Sequence, residues 1–170
     1  ESRDDTARLW DVESGEELLV FAQHEAPLGL VAFSPDGRSL VTGNGNGIVR
    51  LWDVASGSEL RVFADEGRIG SFALSPDGRF MVVRQLSSDE NLNLGLLELG
   101  GGQEVRSLRT TRFSEQLATL SPDGRFVAYE SDESGSNEIY IQSFPESGAR
   151  AQVTRAGGEA PVWAGNSELF

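Results

Sequence analysis

The sequence predicts an all-β chain assembled from repeated four-stranded antiparallel units, and three observations predict it. Ser-Pro-Asp-Gly-Arg occurs at Ser34 to Arg38, Ser75 to Arg79 and Ser121 to Arg125, at intervals of 41 and 46 residues, the period of propeller blades. The flanking stretches alternate or are β-branched and aromatic, as in Leu30-Val31-Ala32-Phe33 before the first copy and Phe126-Val127-Ala128-Tyr129 after the third. Composition agrees: 20 glycines and 38% hydrophobic residues in 170 suit a turn-rich β domain, and no useful length of sequence has helical periodicity.

Turn chemistry orders the elements. Pro sets φ near −65° at the second position of each repeated word, Asp bonds its own backbone and Gly supplies positive φ, so each copy joins two antiparallel strands. Two outer strands are expected at 7–12 and 17–22. A first complete blade follows at 28–34, 39–43, 48–53 and 59–63, a second at 69–75, 80–84, 93–99 and 104–108, and a third at 115–121, 126–130, 138–143 and 151–154. Two inner strands complete the set, giving a β-propeller fragment of three four-stranded blades and two half-blades. Propellers close with four to eight blades and repeat arrays need neighbours to cover their ends, so residues 1–170 read as one domain belonging to a larger ring, the alternative being a four-blade ring closed by the two halves. The lack of an initiating Met and a C-terminus inside an expected strand fit a piece of a longer protein.

A second word keeps the period. Leu9-Trp10-Asp11-Val12 returns 42 residues later as Leu51-Trp52-Asp53-Val54, and each copy runs into Ser-Gly and then Glu-Leu. These residues resemble WD-repeat proteins, and the likeness is strongest over 1–63. Over 64–170 the Trp gives way first to Leu97 and then to Tyr140. The stretch from Ser131 to Ile141, Gly157-Gly158 and Pro161-Val162-Trp163 resemble TolB-type, WD-like repeats of bacterial proteins.

The resemblance implies a hydrogen-bonded network in the first blade. His24 stands where WD repeats carry a structural His, with Thr42, Asn46 and Trp52 as partners and Asn46 in place of the usual Asp. An amide accepts less strongly from an imidazole than a carboxylate does, so this copy is expected to be weaker than the family pattern. In the next repeat the equivalents are Glu66, Val83 and Leu97, as though the network were lost as a unit. A lone His with no Cys in the chain makes neither a zinc site nor a catalytic triad.

Other motifs favour plain turns. Gly43-Asn44-Gly45-Asn46-Gly47 fits neither the dinucleotide nor the P-loop spacing, and no helical pattern follows it. The run from Asp132 to Glu138 contains oxygen ligands without the order of a calcium loop. No Gly-x-Ser-x-Gly elbow occurs, so no enzyme, cofactor or metal is expected within this chain.

With 27 acidic residues against 14 basic ones, all Arg, the net charge of −13 opposes binding to nucleic acid or anionic lipid and leaves a basic partner open. No apolar run approaches the ~18 residues of a membrane-spanning helix. In blade geometry the fourth-to-first and second-to-third connections share a face. The alignment puts Asp4, Asp5, Glu25, Asp65, Glu66, Asp89, Glu90, Asp132, Glu133 and Glu159 there, against Arg3, Arg68, Arg109, Arg112 and Arg155. Asp65, Glu66, Asp89, Glu90, Asp132 and Glu133 are the candidate docking residues. The expected function is a non-catalytic scaffold for protein or peptide interaction. The alternative is an accessory propeller of a larger bacterial enzyme, such as a receptor-type serine/threonine kinase or a prolyl-oligopeptidase-like peptidase.

Overall fold

A computed structural model describes residues 5–22, 24–44, 46–64, 69–86, 91–102, 104–109, 111–146 and 148–170. Among them there is no helix. The chain divides into two compact units, Glu1–Ile69 and Gly70–Phe170.

The first unit opens with a two-stranded sheet, β1 (Ala7–Trp10) and β2 (Glu17–Phe21), and continues into a four-stranded antiparallel blade in sequence order. Its strands are β3 (Leu28–Phe33), β4 (Ser39–Asn44), β5 (Ile48–Asp53) and β6 (Glu59–Ala64). Ala7 and Phe21 from the two-stranded sheet pack with Leu40 and Trp52 of the blade, and the Phe21 ring meets Trp52 edge-on at 5.6 Å. Burial of such large apolar side chains, roughly 1.5–3 kcal/mol each, holds sheet to sheet. Trp10, the earlier copy of Trp52, is 52% exposed against 2%, because β1 pairs only with β2 among the described residues. The same word therefore packs differently in a two-stranded and a four-stranded sheet.

The second blade begins at the junction of the units with β7 (Ile69–Leu74), followed by β8 (Phe80–Leu86), β9 (Leu92–Glu98) and β10 (Arg106–Arg109). The third blade is β11 (Glu115–Leu120), β12 (Phe126–Ser131), β13 (Glu138–Ser143) and β14 (Arg150–Gln152), and a short hairpin of β15 (Trp163–Ala164) and β16 (Glu168–Leu169) follows. Val82, Leu94, Leu96 and Leu108 of the second blade share one core with Leu120, Val127, Tyr129 and Tyr140 of the third. The all-β expectation of three complete blades flanked by two-stranded pieces holds, with strand ends within a few residues of those expected.

The repeated word makes the same turn each time. Gly37, Gly78 and Gly124 donate their N–H groups to the carbonyls of Ser34, Ser75 and Ser121 at 2.8, 2.9 and 2.8 Å, with φ near +70° at each Gly. Each Ser hydroxyl donates to the following Asp and accepts the amide that starts the next strand: Ser39, Phe80 and Phe126. The Asp of the other word closes the turn between third and fourth strands: Asp11 Oδ1 accepts from Ser14 N at 2.7 Å and Asp53 Oδ1 from Ser56 N at 2.8 Å.

Strand register corrects one alignment. Leu40 faces Trp52, Met81 faces Leu97 and Val127 faces Gln142. Leu97 thus holds the Trp position in the second blade, but Gln142 holds it in the third. Tyr140 faces Tyr129 and takes the place of Arg50, which faces Thr42. Local words had suggested Tyr140; the two-residue offset follows from the lengths of the intervening turns.

Candidate functional site

In the first blade, β4 presents Thr42 and β5 presents Trp52 diagonally on one sheet face, both buried. The indole N–H of Trp52 donates to Thr42 Oγ1 at 2.9 Å, and His24 Nε2 lies 2.9 Å from the same oxygen. The other ring nitrogen, Nδ1, is 3.1 Å from the backbone carbonyl of Asp5. Since a carbonyl only accepts, Nδ1 carries the proton, and Nε2 accepts from the Thr42 hydroxyl. The chain runs Trp52 N–H to Thr42 O–H to His24 Nε2, then His24 Nδ1–H to Asp5 C=O, with every member satisfied. Burial holds the His24 pKa below its ordinary 6.5, against the pull of the Asp5 carbonyl.

Asn46 is outside this chain. It is exposed, and its backbone N–H donates to Asn44 Oδ1 at 3.1 Å. The buried amide is Asn44, which also accepts from Ile48 N at 3.1 Å and so caps the turn between β4 and β5. In the second blade Val83 and Leu97 are buried and apolar at the positions of Thr42 and Trp52. Glu66 lies outside the described residues.

The third blade replaces the network with a charged one. Tyr129 stands at the Thr42 position, and its hydroxyl accepts from Arg150 Nε at 2.7 Å. Arg150 Nη1 donates to Glu133 Oε1 at 2.7 Å, and Arg109 Nη2 donates to Glu133 Oε2 at 3.0 Å. The Arg150 guanidinium lies over the Tyr140 ring at 4.0 Å. Glu115, fully buried at the start of β11, accepts from Thr111 Oγ1 and lies 3.6 Å from Arg109 Nε. Burial pushes its carboxyl up, while Thr111 and Arg109 oppose that. Glu133 ends below the ordinary carboxylate range: its partial burial raises it, and the Arg150 and Arg109 partners outweigh that.

These contacts change the meaning of the acidic candidates. Glu133 is shared by two guanidiniums, and Asp132 Oδ1 accepts from Ser114 N at 2.9 Å. Both pin the turn between β12 and β13 to neighbouring segments. Asp65, Glu66, Asp89 and Glu90 lie outside the described residues. Glu138, also in the oxygen-rich run, accepts from Thr154 Oγ1 and from Gly157 N at 3.0 Å, which lowers its pKa.

The Arg109–Glu133–Arg150 cluster was not legible beforehand because its members are 17 and 24 residues apart on three elements. A hint existed in Tyr129: a large hydroxylated ring at the Thr position calls for a different partner. Beside this geometry stands one likeness to a known family. Residues 15–53 match the family model for the WD domain, G-beta repeat, covering β2 to β5 with Thr42 and Trp52.

Proposed function

We propose that this chain, whose matched repeat and successive four-stranded sheets fit a WD-repeat protein of propeller type, is a non-catalytic scaffold that mediates protein or peptide interaction. The observation that carries the reading is the threefold turn: one set of hydrogen bonds recurs at Ser34, Ser75 and Ser121 while the other connections differ in length and charge. Rigid repeated turns with variable loops make a frame for display, and loops on such a frame carry specificity.

The docking face we propose is the acidic one, centred on Asp65, Glu66, Asp89 and Glu90, with a basic peptide or protein loop as partner. Asp132 and Glu133 support it indirectly, by fixing the turn they occupy. Electrostatic attraction at such a face acts mainly on association rate and weakens with salt. The test reverses Asp65, Glu66, Asp89 and Glu90 to Arg and follows association of a capped hexa-arginine peptide at low and high salt. A control chain with Glu13, Glu16, Glu104 and Glu168 reversed carries the same net charge, and all four of those are exposed. A slower, less salt-sensitive association in the first variant than in the control supports the face; equal behaviour sinks it.

A further inference from the structure

We infer that a second interaction site lies in the Ser-Pro-Asp-Gly turns of the second and third blades: a slot between these blades that receives an arginine side chain from a partner. A cavity of about 270 Å³ opens there, with Phe80 and Phe144 as its floor, Pro76 and Pro145 as apolar walls, and Asp77 and Asp123 among its lining. Drug-sized ligands occupy pockets of roughly 300–1,000 Å³, so this one suits a single side chain.

Apolar walls and carboxylates together select a cation on an apolar stem. The floor rings meet edge-on, with centroids 5.7 Å apart. The repeat does not demand that floor. The residues corresponding to Phe80 and Phe144 in the first blade are Ser39 and Val54, matched by the bonds Ser34 N to Ser39 O and Val54 N to Arg38 O, which recur as Ser75 N to Phe80 O and Phe144 N to Arg125 O.

The carboxylates are fixed and charged. Asp77 Oδ1 accepts from Ser75 Oγ at 2.6 Å and Arg79 N at 3.1 Å, and Asp77 forms no ion pair among the described residues. Asp123 accepts from Ser121 Oγ at 2.7 Å and Arg125 N at 3.1 Å. Arg125 Nε also reaches Asp123 Oδ2 at 2.7 Å, but that side chain is 73% exposed, so the pair is weak and exchangeable. Arg79 leans toward Glu98 and lies over Phe80 at 5.3 Å, an internal instance of a guanidinium on this ring. Arginine is preferred over lysine because its planar guanidinium both stacks on rings and engages a carboxylate with two N–H groups.

The slot depends on reading the chain as an interaction scaffold, but not on the acidic face, so each can fail alone. The test titrates the ¹⁵N-labelled 170-residue chain with acetyl-Gly-Arg-Gly-amide and with the same peptide carrying citrulline, its neutral isostere, and follows amide shifts. The expected result is saturable movement of the Asp77, Gly78, Asp123 and Gly124 amides by the arginine peptide, with binding about fivefold or more weaker for citrulline. Asp77→Asn with Asp123→Asn keeps an oxygen for both Ser hydroxyls and should weaken the arginine peptide about tenfold. Reversal at residues 65, 66, 89 and 90 should leave the slot shifts in place. Equal binding of the two peptides, shifts elsewhere than the slot, or undiminished affinity in a folded double variant would overturn the site. Should that variant not fold, the two-peptide comparison on the native chain decides.

Discussion

The first and third blades solve the same structural problem with different chemistry. At matching positions the first has Thr42 bonded to a neutral imidazole and an indole, and the third has Tyr129 bonded to a guanidinium that also holds Glu133. Both tie a loop to the sheet. The neutral network leaves no charge to compensate, whereas the third blade compensates buried charge with opposite charge and still leaves Glu115 Oε2 without a partner. What the first and third blades share is therefore a polar tether at this place, where the second blade packs Val83 and Leu97 instead. Its chemistry is free to change when the partners change together, since a lone unpaired member costs about 1–3 kcal/mol.

Arg150→Ala should produce the largest loss, about 3 kcal/mol, because it strips the Tyr129 hydroxyl, halves the pairing of Glu133 and removes the contact over Tyr140. Urea unfolding followed by circular dichroism measures it. A loss below that of the first-blade variants would break the contrast between a charged and a neutral tether. Thr42→Val comes next, at about 2 kcal/mol, since it leaves the Trp52 N–H and His24 Nε2 without their shared partner. In a double-mutant cycle, His24→Ala and Thr42→Val should couple by about 1 kcal/mol; additive losses would show that the imidazole is not part of the tether.

The turns give the counterpoint, being alike in all three blades. Gly37→Ala, Gly78→Ala and Gly124→Ala each force a side chain into positive φ and should cost about 1–2 kcal/mol apiece. Losses that differ by more than a few tenths would mean that the shared turn is not energetically shared.

The smallest effect expected is that of pH on the neutral tether. His24 has a lowered pKa when folded, so the unfolded chain binds its proton more readily. The stability it contributes is complete above the unfolded value near 6.5 and is lost as pH falls from there toward the folded value. Arg50 supports the lowering, and Glu59 and Asp5 oppose it. Stability measured between pH 7.5 and 5.5 should fall in the native chain and fall less in His24→Ala; identical slopes would remove His24 from the account. The turn carboxylates titrate lower, with Asp123 held at about 2 by the Ser121 hydroxyl and Arg125, so they do not mask this window.

The residues by themselves determined the strands, the order of the blades and the turns, because each depends on neighbours in sequence: alternation, Pro and Gly backbone limits, and an Asp or Ser bonding two to five residues away. The resemblance to WD repeats also implied Thr42 and Trp52 in one bonded chain, and the register of β4 on β5 brings them together. Only the tertiary structure decided that the Asp5 carbonyl, not Asn46, serves His24, and that Gln142, not Tyr140, occupies the Trp position. It alone tied Glu133 between Arg109 and Arg150, and set Phe80 against Phe144 beneath two carboxylates. Such contacts join residues 17 to 64 positions apart, where no local periodicity connects the partners and packing of whole sheets fixes which side chains meet.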